Sequence, residues 1–512
     1  MEITTTNTAG AGVHSDPAAT DPAELPAMLA RQRTAFLREG QPSAAVRRDR
    51  IDRLLAMVLD HIDDYAEAMS QDFGTRSRTG TLFAEILGML AAFEHTRSHV
   101  ARWMRPEKPN PFSRGFGIRT EIHPSPLGVV GIVGPWNFPL QLVVVPAASA
   151  FAAGNRVMIK MSEITSRTAE LTRVLAARYF DPDELSIVVG GPEVGAAFTA
   201  LPFDHLFFTG STGVGRKVMR AAAENLVPVT LELGGKNPVV VGPGADLRRA
   251  ANRIARARMV NGGQVCVCPD YVFVPEDGMA GFTEALRSEL RGMFPTIGDN
   301  DDYTSSVDDA NYTRIVELIA DARARGARVE SVAPEGESLP DPHRRKIAPT
   351  LIHDVTDDMR IATEEVFGPV LLLRPYTTLG EVSDHINAHP SPLVAYWYGP
   401  DRADFRAFVA RTRSGGVARN EFAIHMFSEN APFGGVGHSG MGAYHGKTGF
   451  DTFSHRRTVA GTDLPFPITG IAAPPFGQWT VRIVDLALRA ARWRTARRVA
   501  GRLPVRTCTA DA

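Results

Sequence analysis

Cysteine is scarce in this chain: Cys266, Cys268 and Cys508 are the only three in 512 residues. A sparse, odd set argues against a disulfide framework and for a reducing compartment, the cytoplasm, where a free thiol persists. An excess of charge is missing too, with 56 Lys and Arg against 57 Asp and Glu. Without a basic surplus there is little counterion release to drive polyanion binding, so nucleic acid is not an expected partner. Long unbroken apolar runs are also absent. The most apolar region, Leu127 to Ala153, is interrupted by Pro135, Asn137, Pro139, Gln141 and Pro146, so no transmembrane span is expected. Residues 1–21 lack the basic start and apolar stretch of a secretory signal and read as a disordered tail.

The length exceeds what one compact core usually supports, so two or three domains of roughly 100 to 200 residues are expected. Apolar residues recur at helical spacing over Pro22 to Glu39, Ala44 to Gln71 and Thr81 to Trp103. Extended stretches follow at Ile118 to His123 and Val129 to Val133. An alternating rhythm then begins: helix Gln141 to Ala153, strand Arg156 to Lys160, helix Thr165 to Ala177, strand Leu185 to Val189, helix Gly195 to Leu201, strand His205 to Phe208 and helix Gly213 to Ala223. Short apolar strands between helices imply an α/β fold with a parallel sheet covered on both faces. A second alternating set from Val239 to Ala410 implies another such domain, with Pro334 to Arg345 as a surface loop. Trp479 to Arg506 reads as a basic amphipathic helix that packs on its own subunit or a partner, or lies on a membrane surface.

Three stretches carry chemistry. Cys266 lies in Asn261-Gly-Gly-Gln-Val-Cys-Val-Cys-Pro269, where two glycines allow close backbone approach to a ligand. The Cys266-Val-Cys268 pair lacks the further ligands a zinc site needs, so no metal is expected. Cys268 reads as a buried space filler or, under oxidation, as a disulfide or sulfenyl partner of Cys266. Glu232, in Leu231-Glu-Leu-Gly-Gly-Lys-Asn-Pro238, must be exposed, paired with Lys236, or held at a raised pKa suited to a general base. Asn137, in Gly131-Ile-Val-Gly-Pro-Trp-Asn-Phe-Pro139, sits in a proline-fenced turn that would fix its amide for an oxyanion. Gly210-Ser-Thr-Gly-Val-Gly215 links a strand to a helix, a place where free backbone N–H groups can meet a dinucleotide phosphate.

Taken together, these stretches resemble the aldehyde dehydrogenase superfamily over nearly the whole chain. Gly434 to Lys447 and Phe450 to His455 are similar to its class-three branch, which includes coniferyl aldehyde dehydrogenases. The resemblance implies two Rossmann-like parallel-sheet domains plus a small oligomerisation β-extension. It further implies N-terminal helices of the cofactor domain over 22–111, part of the β-extension over 112–124 and an NAD-binding domain over 125–230. A catalytic domain would cover 231–430, a return segment and oligomerisation strand 431–460, and a basic extension 461–512. In the implied reaction an aldehyde, aromatic or medium to long in chain, becomes a carboxylic acid. Cys266 is the nucleophile, Asn137 and the Cys266 N–H hold the oxyanion, and Glu232 activates water against the thioester. The thiol would need a lowered pKa, supplied by backbone donors and the nicotinamide ring. By similarity Trp136, Lys160, Glu163, Gly210, Ser211, Gly215, Leu233, Glu365 and Phe367 hold the cofactor. Glu163 would repel a 2′-phosphate, which favours NAD over NADP. Met161 stands where the family usually has proline. A homodimer is expected, joined near Ile118 to Ile122 and Thr452 to Val459. Rival classes are acyl transfer to coenzyme A, which needs no Glu232, a cysteine hydrolase using His205, His425 or His438, and a silent scaffold.

Overall fold

The computed structural model describes residues 19–110, 115, 117–467 and 473–499. Most of the expected N-terminal tail and the end of the C-terminal extension, with Cys508, lie outside these residues. The opening helices follow the apolar spacing. In Ala44–Leu59, Ser43 caps the first turn by accepting from the Val46 N–H, and Ile51, Leu54, Met57 and Val58 are buried. The helix expected to run on to Gln71 instead breaks, because His61 leaves helical geometry (φ −128°, ψ 31°) before Ile62–Phe73 begins. The third helical stretch contains a π-type turn at Leu82–Leu87 that carries Glu85 fully inside.

The strands form two large sheets within one compact unit, which comprises the described part of 1–105 and Pro124–Arg456. One sheet has the order Gly440–Met441, Val229–Leu233, His205–Gly210, Val129–Val133, Arg156–Lys160, Leu185–Val188. It is parallel apart from the short Gly440–Met441 strand, whose Gly440 faces Glu232. The other has the order Gly416–Arg419, Val394–Tyr398, Asn237–Val241, Pro269–Pro275, Val370–Tyr376, Thr350–His353, Arg328–Ser331, with only the last strand antiparallel. The expected α/β architecture with two parallel-sheet layers is therefore present. Helix Gln141–Ala153, from the most apolar stretch, is buried on nearly every side against Ala44–Leu59 and Gly88–Trp103, as core and not as a membrane span. No described helix is long and apolar enough to cross a membrane.

The other unit, Pro106–His123 with the described residues from Arg457 on, contains residues 118–123 and 457–462 of a two-stranded sheet formed by the strands Ile118–Pro126 and Ser454–Thr462. Within it, Arg119 pairs with Asp463 at 2.8 Å, and the Thr462 hydroxyl donates to the Gly117 carbonyl at 2.9 Å. The same unit contains the helix Gln478–Val499, which buries none of its residues.

Candidate active site

The loop that bears Cys266 begins where helix Leu247–Met259 ends. Asn261, Gly262 and Gly263 turn the chain through left-handed geometry (φ 50°, 64° and 80°). A Cβ on Gly263 would stand 2.3 Å from the Gly368 carbonyl oxygen, so no larger residue fits there. Gln264 then locks the turn. Its Nε2 donates to the carbonyls of Asn261 (2.9 Å) and Ser305 (3.0 Å), and its Oε1 accepts from the Val307 N–H at 3.0 Å. Asn237, fully buried on the adjacent strand, donates to the carbonyls of Cys266 (2.8 Å) and Cys268 (2.9 Å) and accepts from the Val394 N–H at 3.0 Å. The backbone that bears Cys266 is thus held on both sides. Cys268 is buried and its thiol donates to the Ala257 carbonyl at 3.3 Å, which agrees with the space-filling reading.

Asn137 reaches this loop from far away in sequence. Its Nδ2 donates to the Gln264 carbonyl at 3.1 Å. Its own carbonyl accepts from Asn261 Nδ2 and Arg76 Nη1, both at 3.2 Å. Arg76 in turn donates to buried Glu85 at 3.3 Å, while the other Glu85 oxygen accepts from the Gln141 N–H at 2.8 Å. A buried ion pair therefore anchors the turn that presents Asn137.

Glu232 is 4% exposed, and neither carboxylate oxygen has a hydrogen-bond partner among the described residues. Burial pushes its pKa well above the ordinary 4.5. Lys236 is not its partner, since that ammonium is bonded to Asp270 and to the Glu364 carbonyl. Of the three alternatives the sequence leaves open, the raised pKa is the one realised. Glu365 is also raised, to about 7, by burial, with partial relief from the Gly235 N–H. Cys266 departs from expectation. Burial, then the Glu365 and Glu232 carboxyls, push its thiol up to about 12, against a small opposing effect of its own backbone N–H. The protein alone does not supply the lowered pKa expected of the nucleophile, because the groups facing the sulfur are carboxyls and apolar walls.

Cys266, Glu232 and Asn137 line one cavity of about 840 Å³ with Trp136, Lys160, Glu163, Gly210, Ser211, Leu233, Glu365 and Phe367. Gly215 stands behind this wall. A Cβ there would meet Leu233 Cδ2 at 2.7 Å, so its bareness lets helix Thr212–Ala223 approach the sheet. Ser211 caps that helix, accepting from the Val214 N–H at 3.4 Å. Lys160, almost fully buried, pairs with Glu163 at 2.8 Å. The Trp136 and Phe367 rings meet edge to face, 5.2 Å apart. The Met161 N–H donates to the Val188 carbonyl at 3.0 Å, a bond that the family's proline would not make. These groups suit a dinucleotide: a carboxylate for a ribose diol at Glu163, a helix N-terminus for phosphate, and aromatic walls near the thiol. The hydrolase alternative gains nothing. His205 bonds Thr230 at 2.9 Å, His438 lines a neighbouring cavity, and none of the three proposed histidines lines the cavity of Cys266.

The fold and site define an α/β protein whose large cleft is lined by a cysteine and two carboxyls with pKa values raised by burial, and the comparisons with known proteins place it in a family. Residues 1–459 match the Aldehyde dehydrogenase family. A probable coniferyl aldehyde dehydrogenase from Caulobacter vibrioides is 47% identical over 457 residues, covering 88% of this chain and 94% of the relative. The substrate-bound structure of Staphylococcus aureus AldH superposes with a TM-score of 0.84 at 32% identity, over 90% of this chain and 99% of that one. An NAD+ complex of a Mycobacterium tuberculosis aldehyde dehydrogenase does so with 0.77 at 27% identity, over 88% and 92%. The chain belongs to the aldehyde dehydrogenase family, and aldehyde oxidation is its chemistry.

Proposed function

We infer that the chain oxidises aromatic aldehydes such as coniferyl aldehyde, or medium to long aliphatic ones, to carboxylic acids with NAD in preference to NADP. The observation that carries this reading is the shared cavity of Cys266, Glu232 and Asn137, three residues from separate parts of the sequence. The Cys266 thiolate adds to the aldehyde carbon. The resulting oxyanion accepts from the Cys266 N–H and from the Asn137 amide proton not directed at Gln264. The nicotinamide dinucleotide, when bound, supplies a hydride acceptor, and its cationic ring also favours the thiolate that burial opposes. Glu232 takes a proton from water, the water oxygen attacks the thioester carbon, and Cys266 leaves as the acid forms. Lys160 and Glu163 hold the adenine-side ribose, Glu365 and Phe367 the nicotinamide ribose. Gly210, Ser211 and the helix start face phosphate, while Trp136 and Leu233 wall the cleft and Gly215 lets the helix close on it.

One observation favours a second reading of the base. Glu365 lines the same cavity, and burial raises its pKa to about 7, a range suited to a general base. The domain division at 125–230 and 231–430, a cytoplasmic location and a homodimer joined through Ile118–Pro126 and Ser454–Thr462 belong to the same proposal. Residues 455–462 of the latter strand are exposed. The test is a panel of hydroxylated aromatic, short and long aliphatic aldehydes assayed with NAD and NADP separately. Highest kcat/KM for aromatic or longer aldehydes with NAD supports the reading, and a preference for acetaldehyde or for NADP refutes it.

A further inference from the structure

The helix Gln478–Val499 lies beyond residue 459, where the family match ends. Large apolar side chains stand in solvent along it, among them Trp479 (76% exposed), Ile483 (59%), Leu486 (69%) and Trp493 (56%). Such a concentration on one element marks a contact surface. At about 100° per residue, Arg482, Asp485, Arg489 and Arg492 fall on one narrow stripe. The remaining two-thirds or so of the circumference is apolar as far as Trp493, with Val481, Val484 and Leu488 on its second flank. The last turn reverses this pattern, since Arg494, Arg497 and Arg498 project from the apolar arc itself.

Six arginines face one acid on this helix, and none of them has an ion pair among the described residues. Arg494 reaches only the Ala490 carbonyl at 3.3 Å, and Arg497 lies over the Trp493 ring at 4.1 Å. A protein groove covering the apolar arc would bury three unpaired guanidinium groups, at a heavy desolvation cost. A bilayer of anionic phospholipid satisfies both features, because acyl chains receive the apolar arc while the arginines reach back to headgroup phosphates. We propose that Gln478–Val499 docks on the surface of an anionic phospholipid bilayer, lying in its interface without crossing it. This docking does not depend on the catalytic reading above.

The test uses the full chain, sedimented with vesicles of phosphatidylcholine alone or mixed with phosphatidylglycerol. Two variants accompany it: Leu486→Glu with Leu488→Glu, and Arg494→Gln with Arg497→Gln and Arg498→Gln. The unsubstituted chain should bind the anionic vesicles, release them at high salt and bind the neutral ones far more weakly. The leucine variant should lose binding. The arginine variant should bind on the order of 100-fold more weakly, each arginine being worth about a factor of five at an anionic surface. Both variants should keep the dehydrogenase rate measured without vesicles, which shows that they fold. Failure of the unsubstituted chain to bind anionic vesicles overturns the proposal, as does equal binding by either variant. A fall in solution mass for the leucine variant, without vesicle binding by the parent, assigns the helix to a second copy of the chain and overturns it equally.

Discussion

Replacing Glu232 with Gln keeps the volume of a fully enclosed side chain and removes only its capacity to take a proton. Neither oxygen has a hydrogen-bond partner among the described residues, so no protein bond is lost with the substitution. General-base assistance contributes about 100- to 10,000-fold in rate, or about 3–5 kcal/mol of barrier. The carboxylate acts on the thioester, after the thiol has already reacted. Stopped-flow NADH absorbance should therefore show a burst near one equivalent per Cys266, followed by steady turnover slowed by about that factor. The same variant tests the raised pKa. The native state keeps the Glu232 proton above pH 4.5, where the unfolded chain gives it up, so the native state binds more protons and wild-type stability falls as pH rises past 4.5. Denaturant titrations should find the Gln variant more stable than wild type at neutral pH, with the difference vanishing below pH 4.5. Loss of the burst in proportion to steady-state turnover would refute the division of labour. A burst followed by a stall in Glu365→Gln, with Glu232→Gln unaffected, would transfer the base role to Glu365.

Cys266→Ala should abolish turnover yet leave NAD binding, measured by fluorescence titration, within about twofold, because the thiol forms the covalent bond and makes no contact needed to hold the dinucleotide; residual turnover near wild type contradicts this. Iodoacetamide alkylation of Cys266 in the dinucleotide-free enzyme should accelerate about tenfold per pH unit across the neutral range, since the thiolate fraction grows toward a pKa of about 12; a plateau near neutrality would show a thiol already ionised. Asn237→Ala strands two buried carbonyls and one N–H, so urea unfolding should show a loss of about 3 kcal/mol or more, with kcat lowered as the Cys266 loop loosens; unchanged stability would show that these bonds do not hold the loop.

Periodicity carried most of the fold. The strand Arg156–Lys160 and the helix Gln141–Ala153 fall on the expected residues, because each is a short apolar run fenced by Gly, Pro or Asn. The break at His61 left no mark in the apolar pattern, since it lies in backbone dihedrals while the side-chain rhythm continues through it. Glycine-flanked Cys266, Glu232 and proline-fenced Asn137 were legible because each breaks a local rule at a visible motif. Gln264 and Asn237 lay within those same motifs, yet their bracing bonds run to Ser305, Val307 and Val394, partners that only folding brings near. Arg76 and Glu85 gave no signal at all. Arg76 lies between two expected helices and Glu85 inside one, with nothing to mark either as buried, and the inward turn at Leu82–Leu87 brings them together as an internal support for Asn137.

The sequestration of Cys268 bears on how this enzyme fails. Peroxide reaching the cavity would convert Cys266 to a sulfenic acid, and rescue by intramolecular disulfide requires a second sulfur able to approach it. The neighbouring sulfur is enclosed and turned toward the Ala257 carbonyl, so no resolving thiol stands ready among the described residues. Among the described residues nothing else can resolve the adduct, so small-molecule thiols that enter the cleft are the route left there, and without reduction the damage proceeds to irreversible sulfinic acid.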